Sequence, residues 1–268
     1  MEPFQPADGS DLSPLLVLES WSGPDFEGVT AGFTTRHAAN TALHVGDNPL
    51  DVVRSRLDVA DSLGWDFSSW TCAEQVHGVR VHHVQSGDVG RGRESRESAI
   101  PEADALITNE SNVLLAMYFA DCVPLYFYDP TTGALGLAHA GWKGTVADIA
   151  AHTVRRLQET FGVEPAQLYA AIGPSIGECC YEVDEAVLSH IRPLAAEAGA
   201  NDVLYGESGG RARIDLKQMN RHLMIKAGIL PSRIEISKWC TGCRTDLFFS
   251  HRAEKGHTGR MMSWLGRK

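Results

Sequence analysis

The stretch that most constrains how this chain can fold runs from Asp104 to Asp148, DALITNESNVLLAMYFADCVPLYFYDPTTGALGLAHAGWKGTVAD. It contains three apolar runs, Val113–Ala120, Val123–Tyr128 and Ala134–Ala138, each of a length that suits a buried strand. Asp121 and Cys122 stand between the first two, where a core strand would prefer Val or Ile. The third ends at His139, followed by Ala-Gly-Trp-Lys-Gly and a helical pattern. A thiol and an imidazole are thus expected at the edges of neighbouring buried strands, beside a glycine-flanked turn that opens a helix. In α/β proteins, sites are built at strand ends and strand-to-helix turns.

Strand and helix signals alternate along the rest of the chain. Leu15–Leu18 and Val29–Thr34 read as strands, and Asp47-Asn48-Pro49 as the start of a helix with a capping side chain and Pro in its first turn. Trp70–Val76 and Val79–Val84 read as a strand pair around His77-Gly78. The charge-dense run 86–102 reads as a mobile surface loop. Helical spacing recurs from Val146 to Phe161, Asp184 to Ala198 and Asp215 to Ala227, with short strands at Leu168–Ile172 and Ile234–Ile236. Together these predict a single α/β domain over residues 1–268, with residues 1–14 a flexible lead-in.

Composition narrows the partners. A formal net charge of −10 disfavours nucleic acid and anionic membranes, leaving room only for a local basic pocket. No apolar run approaches the roughly 18 residues of a spanning helix, and MEPFQPADGSDLSP lacks the basic and apolar regions of a secretory signal. Six cysteines without such a signal read as thiols or ligands rather than a disulfide framework, and the expected compartment is the cytoplasm.

His77, Cys122 and His139 form the best candidate constellation. Imidazole nitrogens and a thiolate are preferred zinc ligands, and three protein ligands leave a fourth position for water or substrate. The plainer alternative is a satisfied core histidine, a buried cysteine and a loop histidine. Cys122 with His139 also suits a thiolate–imidazole nucleophile pair, which competes with metal for the same sulfur. Lys143, at a glycine-flanked helix start, and Arg36, at a strand exit, are candidate phosphate holders, with Arg244, Arg252 and Arg260 weaker ones of the same kind. Cys240-Thr-Gly-Cys243 has the spacing of half a structural zinc site or a redox pair. No second pair matches that spacing and Cys179 and Cys180 are adjacent, so free thiols are the expectation. The eleven histidines include no His-x-His, which gives a multicopper cluster little support.

In combination these motifs resemble the YfiH family, the multicopper polyphenol oxidase or laccase-domain proteins. The likeness is carried by EQVHGVRV at 74–81, DALIT at 104–108, MYFADCVPLYFYDP at 117–130, GLAHAGWKGTV at 136–146 and AAIGPSIGECCYEV at 170–183. DLKQMNRHLMIKAGI at 215–229, FFSHR at 248–252 and KGHTGRMMSWL at 255–265 extend it. The resemblance implies mixed β-sheets packed between helices in four layers, α/β/β/α, as in the catalytic domain of cytotoxic necrotizing factor. It implies a metal held by His77, Cys122 and His139, with zinc the physiological ion and copper an alternative in the same pocket. The implied activity is phosphorolysis of purine nucleosides (adenosine, inosine, guanosine, methylthioadenosine) by a monomer or homodimer, with adenosine deamination beside it. His77, Cys122 and His139 would be catalytic, and Lys143 and Arg36 would bind phosphate. Two other functions remain open: a Cys122–His139 hydrolase editing a peptidoglycan precursor, and a copper-dependent oxidase of phenols. Two features depart from the family pattern. Arg36 is followed by His-Ala-Ala-Asn where a glycine-rich loop is usual, and the CTGC pair is additional.

Overall fold

Strands covered on both faces need apolar side chains at every position, because each face meets a different layer. The computed structural model, which describes all 268 residues, uses 113–140 in this way. One six-stranded sheet has the order β1 (Phe4–Pro6), β2 (Leu15–Leu18), β3 (Val29–Thr34), β15 (Met261–Arg267), β7 (Val113–Phe119), β4 (Trp70–Cys72). A second has the order β14 (Ile234–Ile236), β10 (Tyr169–Ile172), β8 (Val123–Asp129), β9 (Ala134–Ala140), β6 (Ala105–Thr108), β5 (Val81–His83). A small third sheet joins β11 (Glu182–Asp184), β13 (Arg211–Ile214) and β12 (Leu204–Ser208). Both large sheets are mixed: β4 runs parallel to β7, β5 to β6 and β14 to β10, while their other pairings are antiparallel.

Side-chain parity sorts the core into layers. Val113, Leu115, Met117 and Phe119 of β7 meet Tyr126, Tyr128, Leu135 and Leu137 of the second sheet, forming the inter-sheet core. The alternate residues Leu114, Ala116 and Tyr118 face the other way, toward Val59 and Ala60 of α1 (Pro49–Ser62). Val123, Leu125 and Phe127 of β8 point to the opposite outer face. There they pack with residues of α3 (Ile149–Phe161), α4 (Glu185–Ala198) and α5 (Leu216–Lys226), while α2 (Trp142–Val146) follows β9 directly. The result is the expected α/β/β/α sequence of layers in one domain. Capping side chains sit where the sequence put them at Asn48, Asp184 and Asp215, each accepting a backbone N–H at a helix start. The span expected to run unbroken from Val146 is instead divided at Asp148, whose left-handed backbone ends α2 and whose side chain caps α3. No helix is long and apolar enough to cross a membrane.

Three local expectations are corrected. Residues 1–14 are not a loose lead-in, because Phe4 is fully buried against Tyr126 and β1 pairs with β2; Pro6, lacking an N–H, is tolerated because β1 is an edge strand. Trp70–Val76 and Val79–Val84 do not form a pair. Each ends beside a central strand of a different sheet, so the segment between them crosses from one sheet to the other. The 86–102 loop is tied down: Ile100 is fully buried and bridges to Ala73, and the buried Arg56 guanidinium donates to the carbonyls of Gly92 and Arg93 at 2.7 and 2.8 Å. Near the end of the chain, Met261–Arg267 is a central strand, and Leu247 and Phe248 fill the core from a loop.

Candidate active site

Two chain crossings and one strand meet at one edge of the sandwich. The turn Ala120-Asp121-Cys122 carries the chain from β7 in one sheet to β8 in the other, and the 73–80 segment crosses between the same sheets. His139 lies on β9, paired with Pro124 of β8, and its strand parity matches Leu135 and Leu137, which face the inter-sheet core. These positions bring His77, Cys122 and His139 together, with one ligand atom from each lying within 4.8 Å of the others. Cys122 Sγ is 3.9 Å from His77 Nε2, and the two imidazole rings meet edge to face with centroids 4.7 Å apart. His77 is exposed, Cys122 half-buried and His139 buried, so the group opens to one side.

Asp104, fully buried at the start of β6, organises the group. Its Oδ1 accepts from His139 Nδ1 and from the His77 backbone N–H, both at 2.9 Å. Its Oδ2 accepts from the N–H groups of Val76 at 3.1 Å and Gly78 at 2.7 Å. One carboxylate therefore fixes the loop bearing His77 and the ring of His139, and by binding Nδ1–H it leaves Nε2 of His139 for the shared site. Burial pushes the Asp104 carboxyl up, but the bonds from His139, Gly78 and Val76 outweigh it and hold the group below the usual carboxylate value.

Backbone geometry adds two constraints. His77 and Asp121 both have left-handed backbones, with φ of 61° and 83°, unusual for non-glycine residues. Asp104 holds the first. The second is held by its own side chain, which accepts from Thr241 Oγ1 at 2.6 Å and from the Arg252 backbone N–H at 2.7 Å. Gly141 is required by close approach: a Cβ there would lie 2.9 Å from His77 Cδ2 and 3.0 Å from Cys122 Sγ.

The electrostatics favour a thiolate. Burial pushes the Cys122 thiol up, yet the adjacent His139 and His77 pull it down to about 6. Burial pulls His139 down, yet the Cys122 charge and Asp104 raise it to about 9. A thiolate and two imidazole nitrogens converging from separate strands are a donor set that fits zinc, and a copper ion as well. His139 gives up its Nε2 proton when that nitrogen becomes a ligand.

The group lies on the wall of a cavity of about 520 Å³, a size suited to a small-molecule ligand. Of the two candidate phosphate holders, Lys143 lines this cavity and Arg36 does not. The Arg36 guanidinium instead bonds Glu254 at 3.1 Å and the Thr245 carbonyl while stacking on Phe249, so its charge is already partnered. Arg244 is likewise held by Asp246 and stacked on Trp239. Arg252 and Arg260, the weaker candidates, do face the cavity, as do His44, His251, Trp142 and Tyr181. Asp104 carried no signal in the sequence beyond its place in the DALIT motif, because a carboxylate before a buried strand also reads as a turn residue. The four remaining clustered cysteines, expected to be free of one another, also converge.

Residues 27–268 match the family profile described as multi-copper polyphenol oxidoreductase laccase. Among curated proteins, the chain is 43% identical over 255 residues to purine nucleoside phosphorylase YlmD of Geobacillus stearothermophilus, covering 91% of this chain and 92% of that protein. It is 41% identical over 266 residues to the protein of the same name from Bacillus subtilis, covering 94% of each. Among solved structures, the Bacillus licheniformis hypothetical protein YfiH superposes with a TM-score of 0.93 at 42% identity, and YlmD of Geobacillus stearothermophilus with 0.91 at 40%, each over 100% of both chains.

Proposed function

Because the chain belongs to the multi-copper polyphenol oxidoreductase laccase family, the YfiH-like proteins, we propose that it is a zinc-dependent purine nucleoside phosphorylase with adenosine deaminase activity beside it. One observation carries this reading: a His77–Cys122–His139 donor set opens into a cavity of about 520 Å³ whose walls also bear Lys143, Arg252 and Arg260. The relatives' names supply the substrate class, purine nucleoside and phosphate.

Phosphorolysis passes through a ribosyl group with cationic character, while negative charge grows on the departing purine. The enzyme must hold phosphate beside the anomeric carbon and keep water out. Lys143 is exposed at the cavity lip and Arg252 and Arg260 lie across its wall, so a phosphate can be gathered there although the protein as a whole is acidic. Arg260 donates to the carbonyls of Thr258 and Gly259, and Arg252 to that of Glu182, which fixes both guanidiniums without neutralising them by a carboxylate. Trp142 and Tyr181 supply apolar faces for a purine, and His44 and His251 supply ring nitrogens for hydroxyl or base contacts. His77, Cys122 and His139 would hold zinc, with Asp104 fixing the His139 tautomer. When bound, the ion supplies Lewis acidity, which polarises substrate oxygen or nitrogen and lowers the pKa of water toward about 7 for deamination.

The test is chromatography of adenosine incubated with metal-analysed protein, with and without phosphate. Phosphate-dependent release of adenine and ribose phosphate, lost in His139→Ala, is the expected result, with inosine as the minor product. Full phosphorolysis after chelation would overturn the role of zinc. A second reading is favoured by the chain Cys122–His139–Asp104, which has the order of a thiol nucleophile, base and orienting carboxylate. Under it the protein hydrolyses an amide in a peptidoglycan precursor, and a covalent adduct on Cys122 in metal-free protein would support it. A copper-dependent phenol oxidase has weaker support, since only two imidazoles enter this donor set and the second cluster offers only sulfur.

A further inference from the structure

Cys179 and Cys180 follow β10, and Cys240 and Cys243 follow β14. These two strands are parallel neighbours, so their exits leave the same end of the sheet side by side. The pairing continues beyond them, with Ser237 N–H donating to Ile172 C=O at 2.9 Å and Thr241 N–H to Ser175 C=O at 3.1 Å. Two loops separated by some sixty residues of chain are thereby laid against each other, and all four sulfurs converge within 4.8 Å. Cys243 Sγ stands 3.3 Å from Cys179 Sγ and 3.4 Å from Cys180 Sγ.

Sulfurs tetrahedrally bound to zinc at about 2.3 Å are separated by about 3.8 Å, so the two close contacts of Cys243 need open by only about 0.5 Å to admit the ion, and the whole group already lies within 4.8 Å. Adjacency of Cys179 and Cys180 is no obstacle, because the turn closed by Cys180 N–H to Gly177 C=O folds both toward Cys243. Burial and the neighbouring sulfurs push the Cys179 and Cys180 thiols up in the metal-free cluster, whereas backbone N–H groups favour a thiolate at Cys240. Gly177 N–H donates to Cys240 Sγ at 3.2 Å. A Cβ on Gly242 would sit 2.8 Å from Cys180 Cβ, and one on Gly177 would sit 3.3 Å from Cys179 Sγ, so bare backbone encloses the cluster. The buried Lys217 ammonium, held by the carbonyls of Ser237 and Trp239 at 3.0 Å, adds positive charge on the approach to Cys240. A dedicated disulfide fits less well, since Cys243 is equally close to two partners and any one bond would strand two thiols.

We infer that Cys179, Cys180, Cys240 and Cys243 form a tetrathiolate site for one zinc ion, separate from the His77–Cys122–His139 group. Binding releases the thiol protons to solvent and leaves no open coordination position, which makes the site structural. What it clamps is the wall of the cavity. Ile176 and Tyr181, on the first loop, line that cavity. Ile176 N–H donates to the Asp121 carbonyl at 3.0 Å, and Thr241, on the second loop, donates to the Asp121 carboxylate beside Cys122.

The inference stands apart from the phosphorylase reading, and its test is run in a Cys122→Ala background so that the other site is already disabled. Protein purified under reducing conditions is expected to retain about one zinc per chain, and to show thiolate-to-cobalt charge-transfer absorption when cobalt replaces it. Adding Cys179→Ser and Cys243→Ser should abolish both the zinc and the absorption. Since the double variant can fail to fold, Cys243→His, which offers a nitrogen ligand at an exposed position, serves as the second arm and should keep the ion with a weakened charge-transfer band. Cys122→Ala protein that holds no zinc and gives no charge-transfer band would overturn the inference. So would a disulfide among the four sulfurs in protein isolated under the same conditions.

Discussion

Replacing Asp104 by Asn tests the organisation of the site most sharply, because the change is isosteric and every contact of the carboxylate is defined. Each oxygen accepts two N–H groups: Oδ1 those of His77 and the His139 ring, Oδ2 those of Val76 and Gly78. An amide has one oxygen to offer, so either orientation sets its NH2 against two donors. With the oxygen at the Oδ2 position, His139 can relieve the clash only by accepting at Nδ1, which places its proton on Nε2 and removes that nitrogen from the ligand set. Hydrogen bonds to a charged partner contribute about 1.5–3 kcal/mol each, so losing two should destabilise the fold by about 3–6 kcal/mol. Substitution of a group that orients a metal-bound histidine lowers metal affinity by about 10–100-fold. Urea unfolding of the metal-free proteins reads the first effect, and competition against a zinc-binding dye reads the second. An Asp104→Asn protein within about 0.5 kcal/mol of wild type and within about threefold in zinc affinity would refute the reasoning, since it would mean that these bonds neither stabilise the loop nor select the tautomer.

Other expectations follow from the same geometry. Gly141→Ala should displace the His77 ring by steric contact and weaken zinc binding by about tenfold, with melting temperature nearly unchanged; unchanged affinity would show that the ring has room to yield. Lys143→Gln and Arg260→Gln should each raise the KM for phosphate, whereas Arg36→Gln should lower stability without a selective phosphate effect; steady-state kinetics at varied phosphate separates these outcomes. In metal-free protein, iodoacetamide alkylation of Cys122 should titrate with a midpoint of about 6, and His139→Asn should move that midpoint upward toward an ordinary thiol. The sign for stability follows: the depressed Cys122 pKa contributes stability above the ordinary thiol value that is lost as pH falls through about 6. The raised His139 pKa contributes stability below the ordinary imidazole value that is lost as pH rises through about 9. Denaturation midpoints of metal-free protein measured from pH 5 to 10 should therefore fall at both ends, and a flat profile in wild type matching that of Cys122→Ala would count against the ion pair.

The sequence by itself determined the layers and the chemistry-bearing strand ends. Apolar runs of five to eight residues leave a chain little choice but central strands, and Asp121, Cys122 and His139 stand out there because a core rarely tolerates such groups without use. The capping residues Asn48, Asp184 and Asp215 fixed three helix starts for a local reason, a side-chain oxygen placed one turn ahead of an apolar stripe. Long-range pairing was decided only in three dimensions. Trp70–Cys72 and Val81–His83 are as compatible with each other as with their actual partners, and the deeper burial beside β7 and β6 is what separates them and swings His77 across to Cys122. Arg36 and Arg260 are indistinguishable as charges in a string of letters; one meets Glu254 and the other faces the cavity. Asp104 acquires its role from four donors contributed by two distant segments, and the cysteine cluster from two loops made neighbours by one parallel strand pair. Local propensity and hydrophobic pattern act over a few residues, so they survive translation from sequence; coordination and charge pairing depend on distances between segments, which only the packed sheets define.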